Sequence, residues 1–210
     1  MIKAVLFDLD GTLLDSNKLI IESYKYTIRK HFNKELEEKN ITKYFGEPLL
    51  TTLARYSEED AEELVKTYRN YNESIHDDMV TEMQGASDIL IALRESGVKV
   101  AVVTSKRRVL AERGMKICNL LEKVDAIITP EDTVKHKPEG EPVLKACELL
   151  DVLPSEALMV GDSHYDILCG KNAGAKTCIV KYSLLPFEDL IKYEPDYIIE
   201  KLMDMLKIVA

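Results

Sequence analysis

An apolar run, Ile2-Lys3-Ala4-Val5-Leu6-Phe7, ends directly on Asp8-Leu9-Asp10-Gly11-Thr12. The run has the length and content of a short buried strand. Two carboxylates this close to a hydrophobic strand end are costly to bury unless something neutralises them. A hard cation is the usual remedy: Mg²⁺ accepts a few carboxylate or carbonyl oxygens and keeps several waters. In an extended or sharply turning segment Asp8 and Asp10 project to the same side. Gly11 permits a tight turn and Thr12 can cap the element that follows. An acidic turn after a strand is the competing reading of these residues alone, so the rest of the chain has to decide.

From Gly85 onward strand and helix patterns alternate. Ala86 to Ser96 is amphipathic and stops at Gly97. Val98 to Val103 is a nearly continuous β-branched run, as expected for a strand covered on both faces. Further strands are expected at Ala126–Ile128, Ala157–Val160 and Thr177–Val180, with a weaker one at Tyr197–Ile199. Such alternation implies an α/β fold, a Rossmann-like parallel sheet with right-handed crossovers. The stretch from Ser16 to Met83 has no strong strand signal. Leu19, Ile20, Tyr24, Ile28 and Phe32 recur at helical spacing, and Glu58-Glu59-Asp60 reads as the acidic first turn of another helix through Leu64, Val65, Tyr68 and Tyr71. The expected organisation is therefore a core from residues 1–15 and 84–210 with an α-helical insert, 16–83.

The chain has 210 residues, 46% of them hydrophobic, and a formal net charge of −9. This is enough apolar material for a core plus a small insert, and the acidity argues against nucleic acid as a partner. No apolar run approaches the roughly 20 residues needed to cross a bilayer, so no membrane partner is expected. Cys118, Cys147, Cys169 and Cys178 form no C-x-x-C pair, and nothing at the amino end reads as a secretory signal. Reduced thiols in a cytoplasmic protein are expected.

Ligands of open parallel sheets bind beyond the carboxyl ends of the strands. Those ends carry Asp8 and Asp10, then Thr104-Ser105-Lys106, then Lys135 and Lys137 in the loop after the third strand, then Gly161-Asp162-Ser163-His164-Tyr165-Asp166. Asp8, Asp10 and Asp162 can hold Mg²⁺, a hydroxyl at Thr104 with nearby N–H groups suits a phosphate oxygen, and either lysine supplies charge. This is an inventory for phosphoryl transfer, in which catalysis is mainly positioning and charge neutralisation.

The same residues, in the same order, resemble the four motifs of the haloacid dehalogenase superfamily: Asp8-x-Asp10-Gly11-Thr12, Thr104 at a strand end, Lys137 before Pro138, and Gly161-Asp162-Ser163 with Asp166. The insert resembles the helical cap of the phosphoglycolate phosphatase and β-phosphoglucomutase group. Within that group of proteins, the pyrophosphatases of haloacid dehalogenase type are the ones that Ala157 to Asp166 and Val80-Thr81-Glu82 most resemble. The resemblance implies Asp8 as nucleophile, Asp10 as acid and then base, and Thr104, Ser105 and Lys137 at the phosphate. It implies Mg²⁺ ligation by the Asp8 side chain, the Asp10 backbone carbonyl and Asp162, with Asp166 behind them. The superfamily's lysine precedes a proline, which favours Lys137 over Lys135. Gly46 and Glu47 resemble the cap loop that meets the core.

The resulting expectation is a Mg²⁺-dependent phosphohydrolase that acts through an aspartyl-phosphate on a small phosphorylated metabolite or pyrophosphate, as a monomer or small homo-oligomer. A phosphomutase of the β-phosphoglucomutase type and a non-catalytic regulator are the alternatives. Arg55 and Arg69 are weaker candidates for contacting a second anionic group. His164 has two readings, a leaving-group contact or a surface histidine opening a helix; His136, near the lysine, reads as solvated loop, and His31 and His76 in the insert lack metal-ligand spacing.

Overall fold

The computed structural model describes residues 1–209. Its centre is a six-stranded parallel sheet of β1 (Ala4–Phe7), β4 (Lys99–Val103), β5 (Ala126–Ile128), β6 (Ala157–Gly161), β7 (Lys176–Val180) and β8 (Tyr197–Ile199), in the order β5-β4-β1-β6-β7-β8. Every strand expected from the sequence is present. Successive side chains point to opposite faces, and the core divides accordingly. Val5, Phe7, Val100, Val102, Leu158 and Val160 lie on one face with Ile89, Leu90 and Leu93 of α5 (Ala86–Glu95) and Ala111 and Met115 of α6 (Arg108–Ile117). Ala4, Leu6, Ala101, Val103 and Met159 lie on the other with Val143, Ala146 and Leu150 of α7 (Glu141–Leu150) and Cys169 of α8 (His164–Ala173). The chain leaves β1 at the middle of the sheet and builds outward first through β4 and β5, then through β6, β7 and β8. The carboxyl end of β1 therefore lies at the switch between the two halves, where such sheets bind ligands.

The insert carries four helices, α1 (Asn17–Phe32), α2 (Lys39–Thr42), α3 (Leu49–Ala54) and α4 (Ala61–Met79). The two long helices pack together through Tyr24 against Tyr68, ring centroids 4.9 Å apart, and through a buried hydrogen bond from Asn72 Nδ2 to Ser23 Oγ at 3.0 Å. Tyr26 and Tyr71 instead stack at 3.8 Å beside an outer groove, not over the sheet. Helix α4 starts at Ala61, later than the sequence suggested, because Ser57 and Asp60 bond each other in a turn ahead of it. The acidic first turn consists of Glu62 and Glu63.

The connections into and out of this helical block form a two-stranded antiparallel ribbon, β2 (Leu14–Asp15) with β3 (Thr81–Glu82), continued by Met83 N–H donating to Leu13 O at 2.9 Å. Strands of two residues have no alternation to read in the sequence. The block also shares an apolar cluster with the core: Ile21, Phe45, Leu53 and Leu64 pack with Ile167, Ile179, Leu185 and Leu190.

Candidate active site

Asp8 leaves β1 with its N–H still bonded to Val160 O at 2.8 Å, which sets it beside the end of β6. Lys137 comes from the loop before α7 and its ammonium is almost wholly enclosed. Its Nζ donates to Asp8 Oδ1 at 2.7 Å and to Asp166 Oδ1 at 2.6 Å. Asp166 spends its second oxygen on the start of its own helix, where Oδ2 accepts from Ser163 N–H at 3.0 Å and Ser163 Oγ at 2.7 Å. This is a capping box: it satisfies orphan donors of α8 while fixing the carboxylate that holds Lys137. Lys135 is exposed and apart from this cluster, so the two lysines left open by the spacing occupy different environments.

Asp162 completes a trio. Asp8, Asp162 and Asp166 are all buried and offer carboxylate oxygens within 4.8 Å of one another. The Asp162 carboxylate accepts no side-chain or backbone hydrogen bond among the described residues, while its backbone carbonyl is held by Ser183 Oγ at 2.6 Å. Glycine is required next to it. Gly11 has φ +81°, and a Cβ there would lie 2.5 Å from Asp162 Oδ2.

Burial pushes the Asp8 carboxyl up to about 7, Lys137 pulls against it, and Asp166 adds to the rise. Burial, then Asp166 and Asp8, push Asp162 well up. Burial opposes the charge on Lys137, but the two carboxylates outweigh it and raise its pKa. One ammonium among three buried carboxylates leaves negative charge unbalanced, and Asp162 has free lone pairs. That donor set fits a hard divalent cation.

Thr104, at the end of β4, is buried, and its Oγ1 accepts from Lys106 N–H at 3.1 Å. Ser105 beside it is exposed and its hydroxyl makes no hydrogen bond among the described residues. Asp10 is not one of the trio: its Oδ1 accepts from Ser16 Oγ at 2.6 Å and Lys106 Nζ at 2.8 Å. Burial opposes ionisation of Asp10, but the Lys106 charge and the two hydrogen bonds win, holding its pKa below the usual value.

From the helical block, Gly46 sits directly on the start of α8. Its φ is +85°, and a Cβ there would come within 2.8 Å of both Ser163 Cβ and Oγ. Glu47 is held by Arg55, Nη2 to Oε1 at 2.6 Å, and by Thr52 Oγ1 at 2.8 Å. Arg55 is thereby engaged, stacked over Tyr44 at 4.7 Å, and Arg69 is exposed. His164 stacks on Tyr193 at 5.0 Å, and burial lowers its pKa.

Sequence reasoning assigned no role to Lys106 or Ser16. The only signal for Lys106 was its place directly after Thr104-Ser105; Ser16 carried none.

Known proteins resemble this chain along most of its length. The family model for haloacid dehalogenase-like hydrolases matches residues 5–180. A Clostridium perfringens protein, provisionally named as the pyrophosphatase PpaX, is 51% identical over 209 residues, covering 100% of this chain and 98% of that one. The protein named pyrophosphatase PpaX in Bacillus thuringiensis is 39% identical over 209 residues, covering 100% and 97%. Among solved structures, a haloacid dehalogenase-like family hydrolase of Streptococcus pneumoniae superposes with a TM-score of 0.91 at 26% identity, over 100% of this chain and 99% of that one. With the four motifs gathered at one end of the sheet and the match spanning most of its length, this chain belongs to the haloacid dehalogenase-like hydrolase family.

Proposed function

We propose that this hydrolase is a Mg²⁺-dependent phosphatase that works through an aspartyl-phosphate, with pyrophosphate as its leading substrate. The observation that carries the reading is the buried group of Asp8, Asp162, Asp166 and Lys137 at the centre of the sheet's carboxyl edge, with Asp10 beside it. The choice of pyrophosphate is supported by the names of relatives that match over the whole chain. Phosphoglycolate is the second candidate.

Asp8 attacks phosphorus through a carboxylate oxygen and splits one difficult displacement into two easier ones. Asp10 gives a proton to the departing oxygen and then takes one from the attacking water. Lys137 offsets the charge that builds as two anions approach, and Asp166 keeps it in place. The Thr104 hydroxyl, its lone pair filled by Lys106 N–H, has its own proton free for a phosphate oxygen. A Mg²⁺ ion held by Asp8, the Asp10 carbonyl and Asp162 would add further neutralisation of the transferred group. The helical block acts as a lid that excludes bulk water, with Gly46 and Glu47 at its rim.

A phosphate-release assay with Mg²⁺ across pyrophosphate, phosphoglycolate, sugar phosphates and nucleotides tests this reading. The expected result is a higher kcat/KM for pyrophosphate than for the esters, without any phosphorylated activator. A strict requirement for such an activator assigns a phosphomutase instead, and a preference for a phosphoprotein or oligonucleotide overturns the reading of the helical block as a lid.

The lid makes its own prediction. Gly46→Val places a β-branched side chain at positive φ and against Ser163, at a strain cost of about 1–2 kcal/mol for the backbone alone. Kinetics on this variant are expected to show kcat/KM reduced by about tenfold or more, with the thermal unfolding midpoint lowered by about 2–8 °C for that strain. Unchanged kinetics would remove the Gly46 loop from the site.

A further inference from the structure

The two hydrogen bonds to Asp10 converge on one atom. Ser16 Oγ and Lys106 Nζ both donate to Oδ1, and Oδ2 accepts none among the described residues. The donors are enclosed: Ser16 is fully buried and the Lys106 side chain is only 9% exposed. They also come from separate parts of the chain, Ser16 from the entry to α1 and Lys106 from the turn after β4. A carboxylic acid has one oxygen that accepts and one that carries the proton. Which is which is ordinarily free to exchange; here it is fixed from outside.

We infer that Lys106 and Ser16 are positioning residues that clamp Oδ1 of Asp10 and so make Oδ2 the oxygen that exchanges protons with the reacting groups. The inference rests on the reading of Asp10 as acid and base. In the first step Oδ2–H passes its proton to the oxygen of the breaking P–O bond, which keeps the bonding pair, as Asp8 forms its bond to phosphorus. In the second, Oδ2 takes a proton from water as the water oxygen bonds to phosphorus and the Asp8 oxygen–phosphorus bond breaks. Lys106 has a second tie to the site. Its backbone N–H occupies Thr104 Oγ1, so one residue orients the proton carrier through its side chain and the phosphate donor through its backbone. Lys137 is the lysine placed against Asp8; the Lys106 ammonium keeps two further N–H donors, so a direct grip on substrate is the competing reading, and the phosphate-inhibition measurement below separates the two.

The clamp predicts a dependence on the leaving group that a purely structural or binding role would not produce. In a two-step covalent reaction kcat/KM reports events up to departure of the first product. Acetate leaves from acetyl phosphate without a proton, whereas the alkoxide of phosphoglycolate needs one. Lys106→Met and Ser16→Ala are expected to lower kcat/KM for phosphoglycolate about ten- to a hundredfold and that for acetyl phosphate by less than about threefold, the scale of one hydrogen bond to a charged group. Competitive inhibition by inorganic phosphate should be unchanged, and Lys106→Arg should recover part of the loss. Thermal unfolding of each variant separates misfolding from lost alignment. An equal fall on both substrates, or a weakened phosphate affinity of matching size, overturns the clamp. Asp10→Asn run on the same pair separates the two claims. If that variant shows no leaving-group selectivity, the acid role of Asp10 itself fails; if it does and the clamp variants do not, only the clamp fails.

Discussion

Asp8→Asn is expected to abolish turnover, by on the order of 10⁴-fold or more, as when other covalent enzymes lose their nucleophile. The amide is nearly the same size but cannot attack phosphorus. The fold should tolerate it. Lys137 keeps Asp166 at 2.6 Å when it loses the charge at Asp8, and the variant no longer buries a carboxyl that its surroundings push up to about 7. At pH 8 the unfolding midpoint should therefore stay where it is or rise. Two measurements check this: phosphate release under steady state, and mass analysis of acid-quenched enzyme for a phosphoryl group present on the parent protein and missing from the variant. Normal turnover by Asp8→Asn would remove the aspartyl-phosphate from the mechanism.

Asp8 stands out in the sequence because of what the strands around it encode. The strands are near-continuous apolar runs, and a parallel sheet buried on both faces leaves little other use for them. Once the strands are placed, the rule that ligands bind at their carboxyl ends selects Asp8, Thr104 and Asp162 without reference to any side-chain geometry. Lys137 needed more, because spacing alone left it level with Lys135. The structure separates the two by burial: one is enclosed between two carboxylates and the other faces solvent.

What stayed hidden follows from physics of longer reach. The bond from Lys106 to Asp10 joins residues 96 apart in the chain through a flexible four-carbon stem, and nothing local records where such a stem ends. The tyrosines of α1 and α4 share one helical pattern, yet Tyr24 and Tyr68 are interior while Tyr26 and Tyr71 stack at an outer groove. Their sides depend on the angle at which the helices meet. The ribbon of Leu14–Asp15 with Thr81–Glu82 is too short to carry a periodic signal, although it sets the path between helical block and core.

Removing divalent metal is expected to eliminate activity, and the pH dependence of stability should reveal why. In the folded protein without metal, Asp8 titrates near 7 against an ordinary value of 3.8, and Asp162 shifts the same way. Between about pH 4 and pH 7 the folded chain keeps protons that the unfolded chain has released. Stability therefore falls as pH rises through that window, and the deficit is complete above the folded value. A divalent cation among these carboxylates removes the deficit by replacing the protons, so it should stabilise more at pH 8 than at pH 5, where protons compete with it. With Mg²⁺ at about a hundred times its dissociation constant the gain is about 2.7 kcal/mol, or roughly 5–10 °C for a chain of this size. Calorimetry of EDTA-treated and Mg²⁺-reconstituted protein at both pH values measures it, alongside phosphate release from the same samples. Ca²⁺ should restore activity poorly, since it takes more oxygen ligands in looser geometry than this compact trio offers. Full activity in a verified metal-free preparation would mean that Lys137 alone balances the buried carboxylates, and an equal gain in midpoint at pH 5 and pH 8 would mean that the cation does not replace protons at this trio.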